Sequence, residues 1–534
     1  MFCLAAGNLN AQPERPRLAV LIVVDQMRPD YLTRFDSLYS GGLARLQREG
    51  FVFLNALHNH ANSETGIGHA TLATGCYPSH HGIVGNDWYE NAGTLRRYCF
   101  EDSAVSITEN PKKAGRSPVN LRRGALADWL RRDNPLRKSF AIAIKDRAAI
   151  PMAGFSSNGA YWYDSGSGLF VTSVYYSPIY SEWVKAFRQS RPADDYCLGE
   201  WDRILPEAAY ARVGPDSVAA EGDGVHVTFP HFFVPGPHDE PDEYYDNILT
   251  TPFADHMTLR LARVLIAGDS LGADDNVDLL AISCSAADYI GHDYGPDSHE
   301  IMDYYLRLDR YLGEFFAYLD STIGGGRYVV ALTSDHGAAR LPELQRASGI
   351  DAGRVPSDSF KVQVAAACER AAQGLGLKQK VVQRVARGVY LNYSEAEQRG
   401  ISRKVLQQAV ADSLRGIWFV ADAYTEAEMT ASGGRLRAYL EQYRNNYFPG
   451  RSPEIAVRLR ENYFLSSDQQ GTSHGSCYGY DCIVPMVFWG ASIKAGLSSE
   501  QIETVDLAPT LAELIGLVPP DDLDGHSRAR LVRK

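Results

Sequence analysis

Three acids and three imidazoles stand out in this sequence. Asp25 follows "LAVLIVV", Asp288 and His292 lie in "DYIGHDYG", Asp335 and His336 in "TSDHG", and His474 in "GTSHGS". Carboxylate oxygens and imidazole nitrogens with no thiolate among them suit Zn²⁺. Two groups of three protein ligands would suit a two-metal site, whose ions lie roughly 3.5–4 Å apart. Thr65 opens "TGIGHATLATG", where a helix N-terminus would favour an anion. Its hydroxyl is a poor nucleophile until something removes the proton, as coordination to a metal does. Lys145 and Arg147, in "AIAIKDR", alternate so that an extended chain places both cations on one face. Arginine can hold two phosphoryl oxygens at once and lysine supplies a point charge. Each residue also has a plainer reading. An Asp ending a strand caps the next helix, a lone His is commonly structural, Thr65 or Ser63 can be an N-cap and no more, and "KDR" can be an exposed turn. What argues for chemistry is the joint placement: three strand ends supplying three Asp and two His, with a fourth segment adding one His.

The elements behind these residues are short, continuous, branched-rich apolar runs. Leu18–Val24, Val277–Ser283, Tyr328–Thr333 and Ile483–Gly490 read as strands buried on both faces. "FAIAI", before Lys145, reads likewise. Between them lie helical patterns, among them "SHEIMDYYLRLDRYLGEFFAYLDSTIG", with Ile301, Tyr304, Tyr305, Leu308, Leu312 and Phe315 on one face. This alternation predicts an α/β fold, a mostly parallel central sheet with helices on both faces. Ligands in such sheets bind beyond the carboxyl ends of the strands. Asp288 and His292 share a face if helical, although Gly291 weakens that helix. Two regions break the rhythm, about 151–238, rich in Tyr, Trp, Pro and Gly, and about 340–468, with amphipathic stretches such as "GLKQKVVQRVARGVYLN" and "SRKVLQQAVADSLRG". Both read as helical or irregular insertions forming a cap on one α/β domain spanning 12–534.

The bulk numbers exclude several classes. With 45% apolar and 22% charged residues over 534 positions, the chain is globular. A net charge of −12 without a basic run argues against nucleic acid as a specific partner. Residues 1–11, "MFCLAAGNLNA", resemble the remnant of a signal peptide, so a periplasmic or secreted, soluble protein is expected. No later run is apolar for the ~18 residues a membrane helix needs. Of eight cysteines, Cys3 falls in the leader, and the remaining odd set cannot pair completely. Cys477 and Cys482 are close enough in sequence to close a short loop. His58, His60, His80 and His81 have no assigned role and read as solvent-facing, while His69 packs or supports the site.

Together the segments "VDQMRPDYL", "TGIGHATLATG…HGIVGNDWY", "KDR", "DYIGHDYGPDS", "TSDHG", "GTSHGS" and "VDLAPTLAELIGL" resemble the alkaline phosphatase superfamily. Within it they are similar to the phosphate-irrepressible alkaline phosphatases (PafA type), cousins of the nucleotide pyrophosphatase/phosphodiesterases. The resemblance implies one Zn²⁺ held by Asp288, His292 and His474. It implies a second held by Asp25, Asp335 and His336, with Thr65 bridging as nucleophile. It implies that Asn86, in "GNDW", contacts a phosphoryl oxygen, as Lys145 and Arg147 do. The diesterase relatives lack the Lys/Arg pair, so phosphate monoesters are the implied substrates, cleaved through a phosphothreonine. "CYPSH" lacks the arginine of the sulfatase pattern, which makes Cys76 structural. A phosphodiesterase of the same superfamily, or a non-catalytic zinc-dependent phosphate-binding protein, are the alternatives. A monomer is the expected form.

Overall fold

The computed structural model describes residues 15–534, apart from 91–92, 197–198, 233–244 and 434–436. The leader-like residues 1–11, with Cys3, and Cys197 lie outside the described residues. One ten-stranded sheet organises the chain. Its strands are β1 (Leu18–Val24), β2 (Phe51–Leu57), β3 (Ser139–Ala143), β4 (Gly159–Asp164), β5 (Leu169–Val171), β6 (Asp278–Cys284), β7 (Tyr328–Thr333), β8 (Ile483–Gly490), β9 (Gly496–Ser498) and β10 (Ile502–Glu503). Their order is β9-β2-β8-β7-β1-β6-β3-β4-β5, with β10 also on β2. The four central strands β7, β1, β6 and β3 are mutually parallel, whereas β8 and β5 run antiparallel to their neighbours.

All seven residues of β1 are buried, and they divide by parity. Leu18, Val20, Ile22 and Val24 pack with helices Gly42–Glu49, Pro252–Gly268 and His299–Leu319 on one face. Ala19, Leu21 and Val23 pack with helices Thr65–Thr74, Asp146–Ala153 and Leu507–Leu514 on the other. A strand sealed on both sides needs no polar alternation, hence the continuous apolar run. Each Val, Leu or Ile so buried contributes roughly 1.5–3 kcal/mol. We name four helices here: α1 (Thr65–Thr74), α2 (Asp146–Ala153), α3 (Ala286–Tyr294) and α4 (His299–Leu319).

The sheet takes in part of the first irregular region. β4 and β5, at 159–171, extend the main sheet and are not cap. In the second region a four-stranded antiparallel sheet forms, in the order Val382–Val385, Gly388–Leu391, Ile455–Leu459, Val420–Thr425. Helices Ser357–Gly374 and Arg403–Leu414 cover it, around an apolar cluster of its own. Here "VVQRVARGVYL", expected as helix, is a hairpin turning at Ala386-Arg387. Cys477 and Cys482 are free thiols, as are all the described cysteines. No helix among the described residues is long and apolar enough to cross a membrane.

Candidate metal centre

The register of the central strands brings the predicted residues together. Val24 of β1 sits opposite Cys284 of β6, Val23 opposite Thr333 of β7, and Ser283 of β6 opposite Ala143 of β3. The four strands therefore end in step, and the residues just beyond them share one edge. Asp25 leaves β1. Asp335 and His336 leave β7. Asp288 and His292 lie one turn apart on α3, so the helix forms despite Gly291. The reason is contact: a Cβ on Gly291 would lie 1.9 Å from Gln26 Oε1, and Gln26 donates Nε2–H to Asp288 Oδ1 at 2.6 Å. His474 arrives on the loop before β8.

The side chains form two groups of three, Asp288/His292/His474 and Asp25/Asp335/His336, each with ligand atoms within 4.8 Å of one another. In the first, His292 Nε2 and His474 Nε2 lie 3.3 and 3.4 Å from Asp288 Oδ1, and 3.1 Å from each other. In the second, His336 Nε2 lies 3.3 Å from Asp25 Oδ1 and 3.5 Å from Asp335 Oδ2. The groups adjoin, because the rings of His336 and His474 stack at 3.6 Å. Every imidazole of the two groups donates its Nδ1–H to a backbone carbonyl: His292 to Thr472, His336 to Gly337 and His474 to Ser63. That fixes the tautomer and turns each Nε2 lone pair toward its group. Asp25 Oδ1, Asp335 Oδ2 and His336 Nε2 are buried with no hydrogen-bond partner. Orphaned acceptors converging in a dry site are costly unless a cation takes them, so the donor set fits divalent metal ions.

Electrostatics agree with that reading. Burial, then Asp335 alongside, pushes the Asp25 carboxyl well up. Burial lowers His336 to about 3, keeping it a neutral imidazole. Lys145 Nζ, fully enclosed, lies 2.6 Å from Asp25 Oδ2 and 2.5 Å from Asp288 Oδ2. Burial works against its charge, but Asp25 and Asp288 outweigh it and raise its pKa.

Thr65 is the first residue of α1, buried, with its Oγ1 3.5 Å from Lys145 Nζ. Asn86 stands at the same helix end. Its Oδ1 accepts from Gly66 N–H at 2.9 Å, and its own N–H donates to Glu64 Oε2 at 2.7 Å. With Oδ1 so occupied, the amide nitrogen is the end left to meet a ligand. Lys145 and Arg147 are not on one extended strand. Lys145 is the extended N-cap of α2, and Arg147 lies in its first helical turn. Arg147 is near Tyr98, Tyr289 and Asp146, and its buried Nε is unpartnered.

Several contributors were not evident from sequence. His58 and His60 are fully buried rather than solvent-facing. His58 donates Nε2–H to the Ser334 carbonyl at 2.9 Å, bracing the loop that carries Asp335, and burial lowers its pKa to about 4. His81 is buried too, and only His80 of the four is exposed. His69 donates Nδ1–H to Thr65 O at 2.9 Å and lies 3.2 Å from Asp335 Oδ2, a supporting place as expected. Arg387, at the hairpin tip of the inserted sheet, pairs with Glu64. It lines a cavity of about 600 Å³ with Glu64, Trp88, Tyr478 and His474. Partners of this kind lie tens to hundreds of residues apart, beyond any local pattern.

Comparison with known proteins adds three findings. A family model described as type I phosphodiesterase / nucleotide pyrophosphatase matches residues 19–481. Among curated proteins, the chain is 34% identical to a protein named calcium-transporting ATPase from Myroides odoratus, over 95% of this chain and 93% of that one. It is 33% identical to alkaline phosphatase PafA of Elizabethkingia meningoseptica, over 98% and 95% respectively. A crystal structure of wild-type PafA superposes with a TM-score of 0.88 at 32% identity, covering 98% of this chain and all of that one.

Proposed function

The chain belongs to the type I phosphodiesterase/nucleotide pyrophosphatase family, and within it we propose a zinc-dependent phosphate-monoester hydrolase that works through a phosphothreonine on Thr65. Its full-length likeness to alkaline phosphatases makes it a phosphatase. The metal, the intermediate and the ester class are our reading. One observation carries it: two three-ligand groups, each imidazole with Nε2 turned inward by a backbone carbonyl, beside a buried threonine at a helix N-terminus.

Asp288, His292 and His474 would hold one Zn²⁺, and Asp25, Asp335 and His336 the other, and Thr65 at the start of α1 would be the nucleophile. Bound there, divalent ions supply Lewis-acid charge and lower the proton affinity of hydroxyl groups they contact. Thr65 Oγ1 forms a bond to phosphorus as the bond to the leaving oxygen breaks in line, and the proton given up by the hydroxyl ends on the leaving oxygen as the alcohol departs. Water displaces Thr65 in a second step, releasing inorganic phosphate and restoring the hydroxyl. Asn86, Lys145 and Arg147 hold the phosphoryl oxygens. Because the transition state is loose, positioning and charge do most of the work. The leader-like first residues support export to the periplasm or beyond.

The second reading, a phosphodiesterase, draws on the family's own description. Measuring aryl monoester and diester turnover on metal-quantified protein, before and after chelation, separates the readings. Monoester preference, loss on chelation and recovery with Zn²⁺ are expected. Preference for diesters would favour the second reading. No turnover with zinc full would favour a phosphate-binding protein.

A further inference from the structure

The turn after β1 has an uncommon backbone. Gln26 has a φ of +64°, a left-handed value that a residue with a side chain keeps only where its surroundings fix it. Bonds on either side do so. Asp25 N–H donates to Cys284 O at 2.9 Å, and Met27 N–H donates to Ser334 Oγ at 2.8 Å. The turn is thereby pinned to the end of β6 and to the loop after β7 at once. Within it, the backbone and side-chain donors of Gln26 go to different partners. The backbone N–H meets Asp335 Oδ1 at 3.2 Å. The side chain is buried, and its Nε2–H meets Asp288 Oδ1 at 2.6 Å. Each bond therefore falls on a carboxylate of a different metal-ligand group. In Asp335 the bonded oxygen leaves Oδ2 to face His336 Nε2 at 3.5 Å. In Asp288 the bonded oxygen is the one that lies 3.3 and 3.4 Å from His292 and His474 Nε2. An ionised carboxylate oxygen has two acceptor sites, so the amide occupies one and leaves the other to the group. Lys145 holds the second oxygen of Asp288.

We propose that Gln26 is a positioning residue for both groups, holding Asp288 by its side chain and Asp335 by its backbone, and that position 291 is glycine to admit that side chain. The inference rests on the metal-binding reading above. The nitrogen end of the amide must be the one facing Asp288, because the Asp288 backbone carbonyl also lies 3.5 Å from Nε2 and only a donor suits two acceptors. The oxygen end then turns to Gly291, whose missing Cβ would lie 1.9 Å from Oε1 and 2.9 Å from Cδ. Both atoms belong to a flexible side chain, so a Cβ there would displace the amide and leave the helix in place. Partners that orient a metal ligand from outside typically account for about 10- to 100-fold in metal affinity. The two arms of Gln26 are chemically separate. Removing the amide strips Asp288 of its donor and leaves the N–H on Asp335 untouched.

The test reads zinc, not turnover. Wild type, Gln26→Met and Gly291→Ala are dialysed against buffers of stepped free Zn²⁺ and analysed for zinc per chain. Anomalous scattering from crystals grown at limiting Zn²⁺ shows which group empties. Gln26→Met keeps the length of the side chain and removes its donor. Gly291→Ala displaces the same amide from the other side while adding a better helix former. In both, the Asp288/His292/His474 group should need about 10- to 100-fold more free Zn²⁺ to fill, with the Asp25/Asp335/His336 group filling as in wild type. Gly291→Ala should do so with a zinc-free melting temperature at or above that of wild type, a combination that a merely structural role for the contact would not give. If Gln26→Met does not fold, Gly291→Ala carries the test alone. Both groups filling as in wild type would overturn the role of Gln26 and leave the metal reading standing. Equal weakening of both groups would also overturn it, as a general loosening of the edge. A wild-type protein that takes up no zinc would overturn the metal reading and this inference with it.

Discussion

Gly68 is where helix α1 touches the strand end that carries Asp335, and Gly68→Ala tests whether that contact sets the place of Thr65, the proposed nucleophile. A Cβ at Gly68 would lie 2.2 Å from the Asp335 carbonyl oxygen and 2.7 Å from its Cβ. Contacts of a Cβ below 3.0 Å are essentially never seen, so helix and strand end must separate by about 0.8 Å at least. The obstacle is backbone, and Gln26 N–H on Asp335 Oδ1 at 3.2 Å helps hold it. The helix must therefore move, taking Thr65 with it, three residues back on the same side. Helix propensity works the other way: alanine is better than glycine by about 0.8–1.0 kcal/mol, against an overpacking cost of typically about 1–3 kcal/mol. Net stability should fall by no more than about 2 kcal/mol. A misplacement of about 1 Å can cost ~10²-fold in rate. We expect kcat/KM for a phosphate monoester to fall between about 10- and 100-fold in a folded protein. The assay pairs initial rates with metal analysis and a thermal melt. Wild-type kcat/KM with full metal would refute the idea that this contact positions Thr65.

Three further outcomes follow from the site. Thr65→Ala should abolish steady turnover while metal analysis still finds both ions, and near-wild-type rates would remove Thr65 as nucleophile. Lys145→Ala with Arg147→Ala should harm monoester hydrolysis far more than diester hydrolysis, and equal losses in parallel kcat/KM measurements would undo the specificity argument. Arg387→Ala leaves Glu64, which holds Asn86 N–H, without its cation. KM for a monoester should rise a few-fold with kcat less affected and melting temperature within a few degrees, since a partly exposed ion pair is worth about 0–1 kcal/mol. An unchanged KM would make Arg387 irrelevant to the site.

Sequence made the central strands legible because burial on both faces leaves a continuous apolar run, and the acids after them stand at fixed offsets from those runs. It failed where neighbours far along the chain decide. Val382, Val385 and Val389 fall at spacings that fit a helix face, yet Gly388 and Val389 pair with Ala456 and Ile455 across some 65 residues, and the stretch becomes a hairpin. Tertiary pairing overrides local preference there. His58 and His60 read as surface because polar loops usually are, but the Ser334 carbonyl 276 residues away draws His58 inward. Lys145 and Arg147 were expected on one extended face. A helix begins between them, with Lys145 before it and Arg147 in its first turn, so alternation in sequence fixes a face only if the backbone stays extended.

Charge gives the proposed reading its final constraint. Asp25, Asp288 and Asp335 bring three negative charges into a buried edge, where burial alone would leave them unstable. Lys145 and Arg147 return two positive charges, so with all three carboxylates ionised the protein by itself carries one net negative charge. Two divalent ions would make the site three positive, and a deprotonated Thr65 two positive. A monoester dianion then brings the count to zero, whereas a diester monoanion leaves one positive charge buried and unmatched. Without Lys145 and Arg147 the same arithmetic gives zero before any ester arrives. A site so composed has little electrostatic reason to prefer the dianion, because a second negative charge gains nothing there. On the proposed reading, the Lys/Arg pair is thus the feature that would make the ester's second charge favourable rather than neutral or costly. That is why its double removal should change the ratio of monoester to diester hydrolysis, not merely the rate of both.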